Sequence, residues 1–320
     1  MTDAEWMLRG PVAALTVLAA FAIDRIVGEP PPSCHPVVWI GRALSSAGAP
    51  WPDASPSSAF IRGMSAWLIG AAVSMALAAT ACHAIALLAH LKSTPGPRLI
   101  AAALLGVLLK PLFAWRLLYE EVAAVERALA DSLAAGREQL RRLVSRDTAV
   151  LTPTEVRESA IETLAENLND SLIAPLFWFV LCGLPGAALY RFANTADAMW
   201  GYHGRWEWAG KWAARTDDVL SYVPARLTAL LLAAAAPRWP RGLMREARLT
   251  ASPNSGWPMA MMAIALDVRL SKRGVYVLHA GGRGAEPQHL ARGLVIATRA
   301  AWWGAAIACA ALLPLRCQRV

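Results

Sequence analysis

The chain has 320 residues, of which 56% are hydrophobic and only 17% charged, with a mean hydropathy of +0.38. Soluble domains carry about 25% charged residues, so much of this surface does not face water. The net charge of +8 fits lysine and arginine gathered on one side of a bilayer. It argues against a nucleic-acid partner, which needs a continuous soluble basic face; here the basic residues stand between apolar segments. The expectation is an all-α, polytopic membrane helical bundle, with 1–320 as a single integral membrane domain because no long polar linker divides the chain. The five cysteines, Cys34, Cys82, Cys182, Cys309 and Cys317, form no CxxC pair and read as packing residues.

A spanning helix needs about 20 mostly apolar residues. The first candidate is 11–27. It reads as an uncleaved helix, since Asp3 and Glu5 outnumber Arg9 ahead of it and a secretory leader begins positive. Asp24 and Arg25 close it, and an ionisable residue at that depth is a functional candidate. Gly28 and Pro30–Pro32 then force a rigid extended turn. His35, placed before Pro36, is held out of the α region; with no second histidine nearby it makes no zinc site. Two more spans follow at 64–91 and 98–118.

The segment 119–171 reads as a long helical arm, cytoplasmic because it carries Arg127, Arg137, Arg141, Arg142 and Arg146. Within it, Glu155, Glu158, Glu162, Glu166 and Asp170 follow steps of three or four and so share one helix face. Like charges at that spacing cost a few tenths of a kcal/mol per pair, and only Arg157 offsets them locally. Either a cation such as magnesium with a phosphate ligand sits on that face, or the stripe is a solvated acidic surface.

The apolar stretch 172–192 is interrupted by Gly183-Leu184-Pro185-Gly186. Each half is too short to span, which predicts a re-entrant helical hairpin. The segment 194–226 sets Asp197, Asp217 and Asp218 among Arg205, Lys211 and Arg215, with Trp200, Tyr202, Trp206, Trp208 and Trp212. The aromatics are either an interfacial belt or a platform for a large flat ligand. Lys211 and Arg226 either hold phosphate or meet lipid headgroups. The stretch 223–236 is a tilted span or a half-helix. In the polar loop region 237–292, Ser252-Pro253-Asn254-Ser255-Gly256-Trp257-Pro258 forms a shaped loop. It either cradles a polar ligand group or caps the next helix through Asn254 or Ser255. A last span is expected at 293–315. Gly204 to Lys211 fails as a P-loop on spacing and on Trp212, and no HExxH, GxSxG or strand-borne GxGxxG occurs.

These words occur in one order: D-x-x-x-G-E-P…H-P-V-x-x-I-G-R at 24–42, R-D-T at 146–148, E-T-x-A-E-N-x-x-D-S-x-x-A-P-L-F-W at 162–178, N-T-A-D-A-M-x-G-Y at 194–202, A-R-T-D-D-V-L-S-Y-V-P-A-R-L-T-A at 214–229 and S-P-N-S-G-W-P at 252–258. Together they resemble the CobD/CbiB family of cobalamin biosynthesis, the adenosylcobinamide-phosphate synthases. The departures are small: Thr163 and Ser171 stand where the family usually has Ser and Gly, and the match is looser after Val275. The full set argues against the AmpE-like branch, which shares the architecture without the corrinoid activity.

The resemblance implies an ATP-dependent ligase that joins adenosylcobyric acid to an aminoalkyl phosphate, (R)-1-amino-2-propanol phosphate. Magnesium and ATP would be the cofactor and cosubstrate. It implies catalytic roles for Glu166, Asn167, Asp217 and Asp218, metal ligation by Glu162, Glu166, Asp170 and Asp197, and substrate binding by His35, Arg42, Asn194, Lys211, Arg215, Arg226, Asn254 and Ser255. The implied setting is the bacterial inner membrane, multi-pass, with the site facing the cytoplasm. Its partners would be the lipid bilayer, the corrinoid and other enzymes of the pathway. The alternatives are a transporter and a non-catalytic scaffold for those enzymes.

Overall fold

The structure, a computed structural model, describes residues 10–48, 51, 55–90, 95–202, 204, 206–237 and 241–313. Asp3, Glu5, Arg9, Arg205 and Cys317 lie outside the described residues. The fold is an all-α membrane fold with one short hairpin of strands. Among the described residues, five helical stretches are long and apolar enough to cross a membrane: Pro56–Leu88, Gly96–Asp131, Pro153–Trp200, Lys211–Ala235 and Pro287–Leu312. The chain is a multi-pass membrane protein. By contacts it divides into two compact units, one of residues 1–114, 174–220 and 305–320, the other of residues 115–173 and 221–304.

The first unit opens with α1 (Pro11–Ile26). At 16 residues it spans about 24 Å, short of a hydrocarbon core of about 30 Å, so the span expected at 11–27 is not one of the five. Gly28 stops it: its φ of 82° is the left-handed C-cap geometry, and its N–H reaches back to Ile23 O at 3.1 Å. After α2 (Pro36–Gly48) and α3 (Pro56–His90) comes α4 (Pro95–Leu109), which packs along α1. Ala13, Ala14 and Ala20 are buried on α1, as are Ala101 and Ala102 on α4. A Cβ added at Gly106 would stand 2.7 Å from Ala19 Cβ. With no aqueous driving force between membrane helices, such small residues allow the backbones to approach closely.

A 3₁₀ turn at Lys110–Leu112 ends α4 where Pro111 removes a donor. The unit continues with α8 (Ala174–Trp200; α5 to α7 belong to the second unit). Gly183 breaks α8 with φ 64°, ψ −157°. In one straight helix, residues 178 and 186 lie about 12 Å apart along the axis. Here a side chain at Gly186 would collide with the carbonyl of Trp178, so the chain folds back on itself at Gly183. The helical hairpin expected at 172–192 is present.

The second unit contains α5 (Trp115–Asp131), α6 (Leu133–Arg141) and α7 (Pro153–Leu168). Ser132 caps α6 by accepting from Ala135 N–H. A capping box of Thr152 and Glu155, with Pro153 at the first position, starts α7. A π-helical turn at Asn169–Ile173 follows α7. The unit then takes the end of α9 (Lys211–Ala235), α10 (Leu243–Ala247), α11 (Gly256–Leu266), the antiparallel pair β1 (Leu270–Lys272) and β2 (Tyr276–Leu278), and most of α12 (Pro287–Leu312). The stretch expected as a polar loop region therefore holds a buried apolar helix, because Pro258–Leu266 of α11 are all buried. The apolar run 223–236 is the end of the 25-residue α9 rather than a separate half-helix.

Candidate functional site

The acidic stripe lies on α7 in the interior of the second unit. Glu158 is fully buried and Glu162 is 3% exposed, so the stripe is not a solvated surface. Most of its compensation comes from β1–β2, whose sequence lies more than a hundred residues downstream. Arg273 forks onto Glu155 at 2.5 and 2.6 Å, and that pair raises the guanidinium pKa further. Ser271 donates to Glu158, and Arg269 stands 3.5 Å from it. Arg146, in the R-D-T word, pairs with Glu162. Arg157 turns away to fork onto Glu126 at 2.7 and 2.8 Å.

Tyr276 completes this lining. Burial, and then the charge of Glu162, push its hydroxyl above the usual range, so it remains a neutral hydrogen-bond donor.

Further along the same face the pattern changes. Among the described residues, the partly exposed Glu166 carboxylate takes part in no hydrogen bond or ion pair. Lys272 and Arg146 act on it only through their fields. Asp170 follows one turn on and accepts from Asn169 Nδ2 at 2.7 Å. Asn169, buried, in turn accepts from Thr228 Oγ1 at 3.1 Å. These residues open the π turn, a distortion that recurs at functional sites. Asn167 donates its amide to Thr163 O at 3.1 Å.

Arg226 is fixed by the 252–258 loop. Its Nη1 donates to Asn254 Oδ1 at 2.9 Å and to Tyr222 O at 2.6 Å, and its Nη2 to Pro253 O at 3.2 Å. The guanidinium lies over the Tyr222 and Trp257 rings at 3.5 and 4.8 Å. Asn254 thus orients Arg226. Ser255 occupies the N-cap without a side-chain bond, and Ser252 Oγ accepts from the Asn254 and Ser255 N–H groups.

In the first unit the G-E-P and H-P words build a buried ion cluster. Lys110, 2% exposed, reaches Glu29 at 2.6 Å, Asp24 at 3.0 Å and Phe113 O at 3.2 Å. His35 Nδ1 accepts from Val37 N–H at 3.2 Å, which leaves Nε2 to donate to Glu29 at 3.1 Å. Lys110 was not anticipated, although an ionisable residue inside an apolar run is its signal.

Asn194 accepts from the buried Arg191 at 3.3 Å, and Arg191 also donates to Leu112 O at 2.9 Å. Lys211 sits 4.4 Å over the Trp208 ring. Asp197, Asp217 and Asp218 are half-buried on α8 and α9. Arg42 and Arg215 are exposed.

The tryptophans are mostly neither belt nor platform. Trp51, Trp67 and Trp200 are buried, and Trp206 and Trp212 pack against them through edge and stacked contacts. Trp208 and Tyr202 are exposed. Among the described residues no three His, Cys, Asp or Glu side chains form a metal-holding group. The expected ligands divide between the units: Glu162, Glu166 and Asp170 in the second, Asp197 in the first.

The family model for CobD/Cbib protein matches residues 17–296. The chain is 39% identical to the probable cobalamin biosynthesis protein CobD of Methanothermobacter thermautotrophicus, over 82% of this chain and 85% of that protein. It is 35% identical to cobalamin biosynthesis protein CobD of Dehalococcoides mccartyi, over 89% and 93%. It is 37% identical to cobalamin biosynthesis protein CobD of Rhodobacter capsulatus, over 90% and 93%. No solved structure matches the chain significantly. The matched length and the six words spread along it have one explanation: the chain belongs to the CobD/CbiB family.

Proposed function

We propose that the chain acts in cobalamin biosynthesis as an ATP-dependent ligase. It joins the free carboxylate of adenosylcobyric acid to the amine of (R)-1-amino-2-propanol phosphate to give adenosylcobinamide phosphate. The relatives' names carry the pathway. One observation supports the chemistry: the Glu166 carboxylate, which makes no hydrogen bond or ion pair among the described residues, lies one turn from Asp170 on a face whose other acids already have partners.

A carboxylate resists attack by an amine in water. The reading is that one carboxylate oxygen attacks the γ-phosphorus of ATP, ADP leaves, and the amine then displaces phosphate from the acyl carbon. Glu166 takes the proton released as the C–N bond forms. Arg226, whose donors the loop uses only in part, holds a phosphate. Glu166 and Asp170 suit magnesium, which takes one or two carboxylates and completes its shell from phosphate; bound there, it would neutralise phosphate charge. Glu162 is committed to Arg146, which leaves it a second-line ligand. The arginines of the stretch 119–171 support a site on the cytoplasmic side of an inner membrane.

The test is product formation by membranes given adenosylcobyric acid, aminopropanol phosphate and Mg-ATP. Glu166→Gln is expected to abolish product while the protein stays inserted. Full turnover by that variant removes the site assignment, and no product from wild type removes the reaction. The break at Gly183 and the buried Lys110 favour a transporter as the second reading. Substrate flux in proteoliposomes without chemistry would establish it.

A further inference from the structure

An open cavity of about 630 Å³ lies within the second unit, between the ends of α9 and α11 and the stretch Arg292–Trp303 of α12. Its size is that of a small-molecule site. Ala234–Ala236, Leu266, Val295 and Trp303 give it apolar walls, and Arg292 and Arg299 supply its charge. The two arginines are seven residues apart on α12, so they share a face and sit about 10 Å apart along the axis. No carboxylate lines the cavity. Among the described residues neither guanidinium makes a hydrogen bond or ion pair.

Arg299 lies halfway along a helix long and apolar enough to span. An arginine at that depth is costly unless an anion meets it. A free phosphate would satisfy the charge but leave the exposed apolar walls, including Val295 and Trp303, against water or nothing.

From this geometry we infer that the cavity binds one anionic phospholipid. The phosphate sits between Arg292 and Arg299, and the acyl chains lie along the alanine, valine, leucine and tryptophan walls. Basic pockets between membrane helices bind acidic headgroups by the same chemistry. The site is independent of the acidic face on α7 and of the ligase reading.

The experiment is native mass spectrometry of the full-length protein in detergent, titrated with dioleoyl-phosphatidylglycerol or dioleoyl-phosphatidylcholine. Two guanidiniums predict at least about a tenfold preference for the anionic lipid. Both side chains are exposed, so R292Q/R299Q is expected to fold and to reduce the preference below about twofold, whereas R292K/R299K retains most of it. Glycerol 3-phosphate at millimolar concentration should displace nothing. Equal binding of the two lipids by wild type overturns the proposal whatever the variants do. So does a preference that survives in R292Q/R299Q. Displacement by glycerol 3-phosphate would reassign the cavity to a free phosphate ester and overturn the lipid.

Discussion

Lys110 carries the heaviest individual load in the first unit. It sits among Asp24, Glu29 and a backbone carbonyl with 2% of its surface exposed. Lys110→Met leaves two carboxylates short of a cation. Removing one partner of a buried pair typically costs about 3–5 kcal/mol, so thermal unfolding in detergent should fall sharply, and adding Asp24→Asn should recover part of the loss. The α7 acids make a contrast that separates structure from function. Arg273 is about half exposed and braces the capping-box residue Glu155; Arg273→Ala should leave both turnover and unfolding temperature nearly unchanged. Arg146→Ala strands Glu162, which is 3% exposed. It should reduce product formation strongly, as measured in the same membrane assay.

The acids themselves were legible, because a helical period can be read from spacing alone. Their partners were not. Arg269, Lys272, Arg273 and Tyr276 meet α7 through a contact across more than a hundred residues, and no local pattern encodes which hairpin folds onto which helix. The packing of Trp200, Trp206 and Trp212 was hidden for a related reason. Composition allows them at an interface, and only packing against Trp51 and Trp67 puts Trp200 inside, with Trp206 and Trp212 beside it.

Among the elements, the two breaks in apolar helices do different jobs. At Lys110–Leu112 the chain leaves the helix so that a lysine can turn onto two acids. At Gly183 it reverses, and the backbone angles there exclude a side chain. Gly183→Ala should cost on the order of 1–3 kcal/mol, readable as a lowered unfolding temperature in detergent. The α1–α4 contact depends on smallness in the same way. Gly106→Leu drives a side chain into Ala19 and the α1 backbone, with an overpacking penalty of about 1–3 kcal/mol. Gly183-Leu184-Pro185-Gly186 announced its hairpin in the sequence, since glycine and proline act on their own backbone. The early end of α1 was harder to see, because the apolar run continues to Val27 and only the cap geometry at Gly28 stops the helix.

For the whole molecule, the five apolar helical stretches among the described residues predict that alkaline carbonate leaves the protein in the membrane pellet and that only detergent extracts it; appearance in the supernatant would contradict the multi-pass fold. The fold class was open to composition, because a shortage of charge is a property of the entire surface. The division into two units was not, because the chain passes between them within α9 and α12 without any linker. One bond gives that interleaving a time. Gly10, at the start of α1, donates its N–H to Leu312 O at 2.6 Å. A ribosome adding about 5–20 residues per second reaches Leu312 roughly 15–60 s after Gly10. Through that interval α1 must wait in the bilayer, or in the hands of the insertion machinery, for α12.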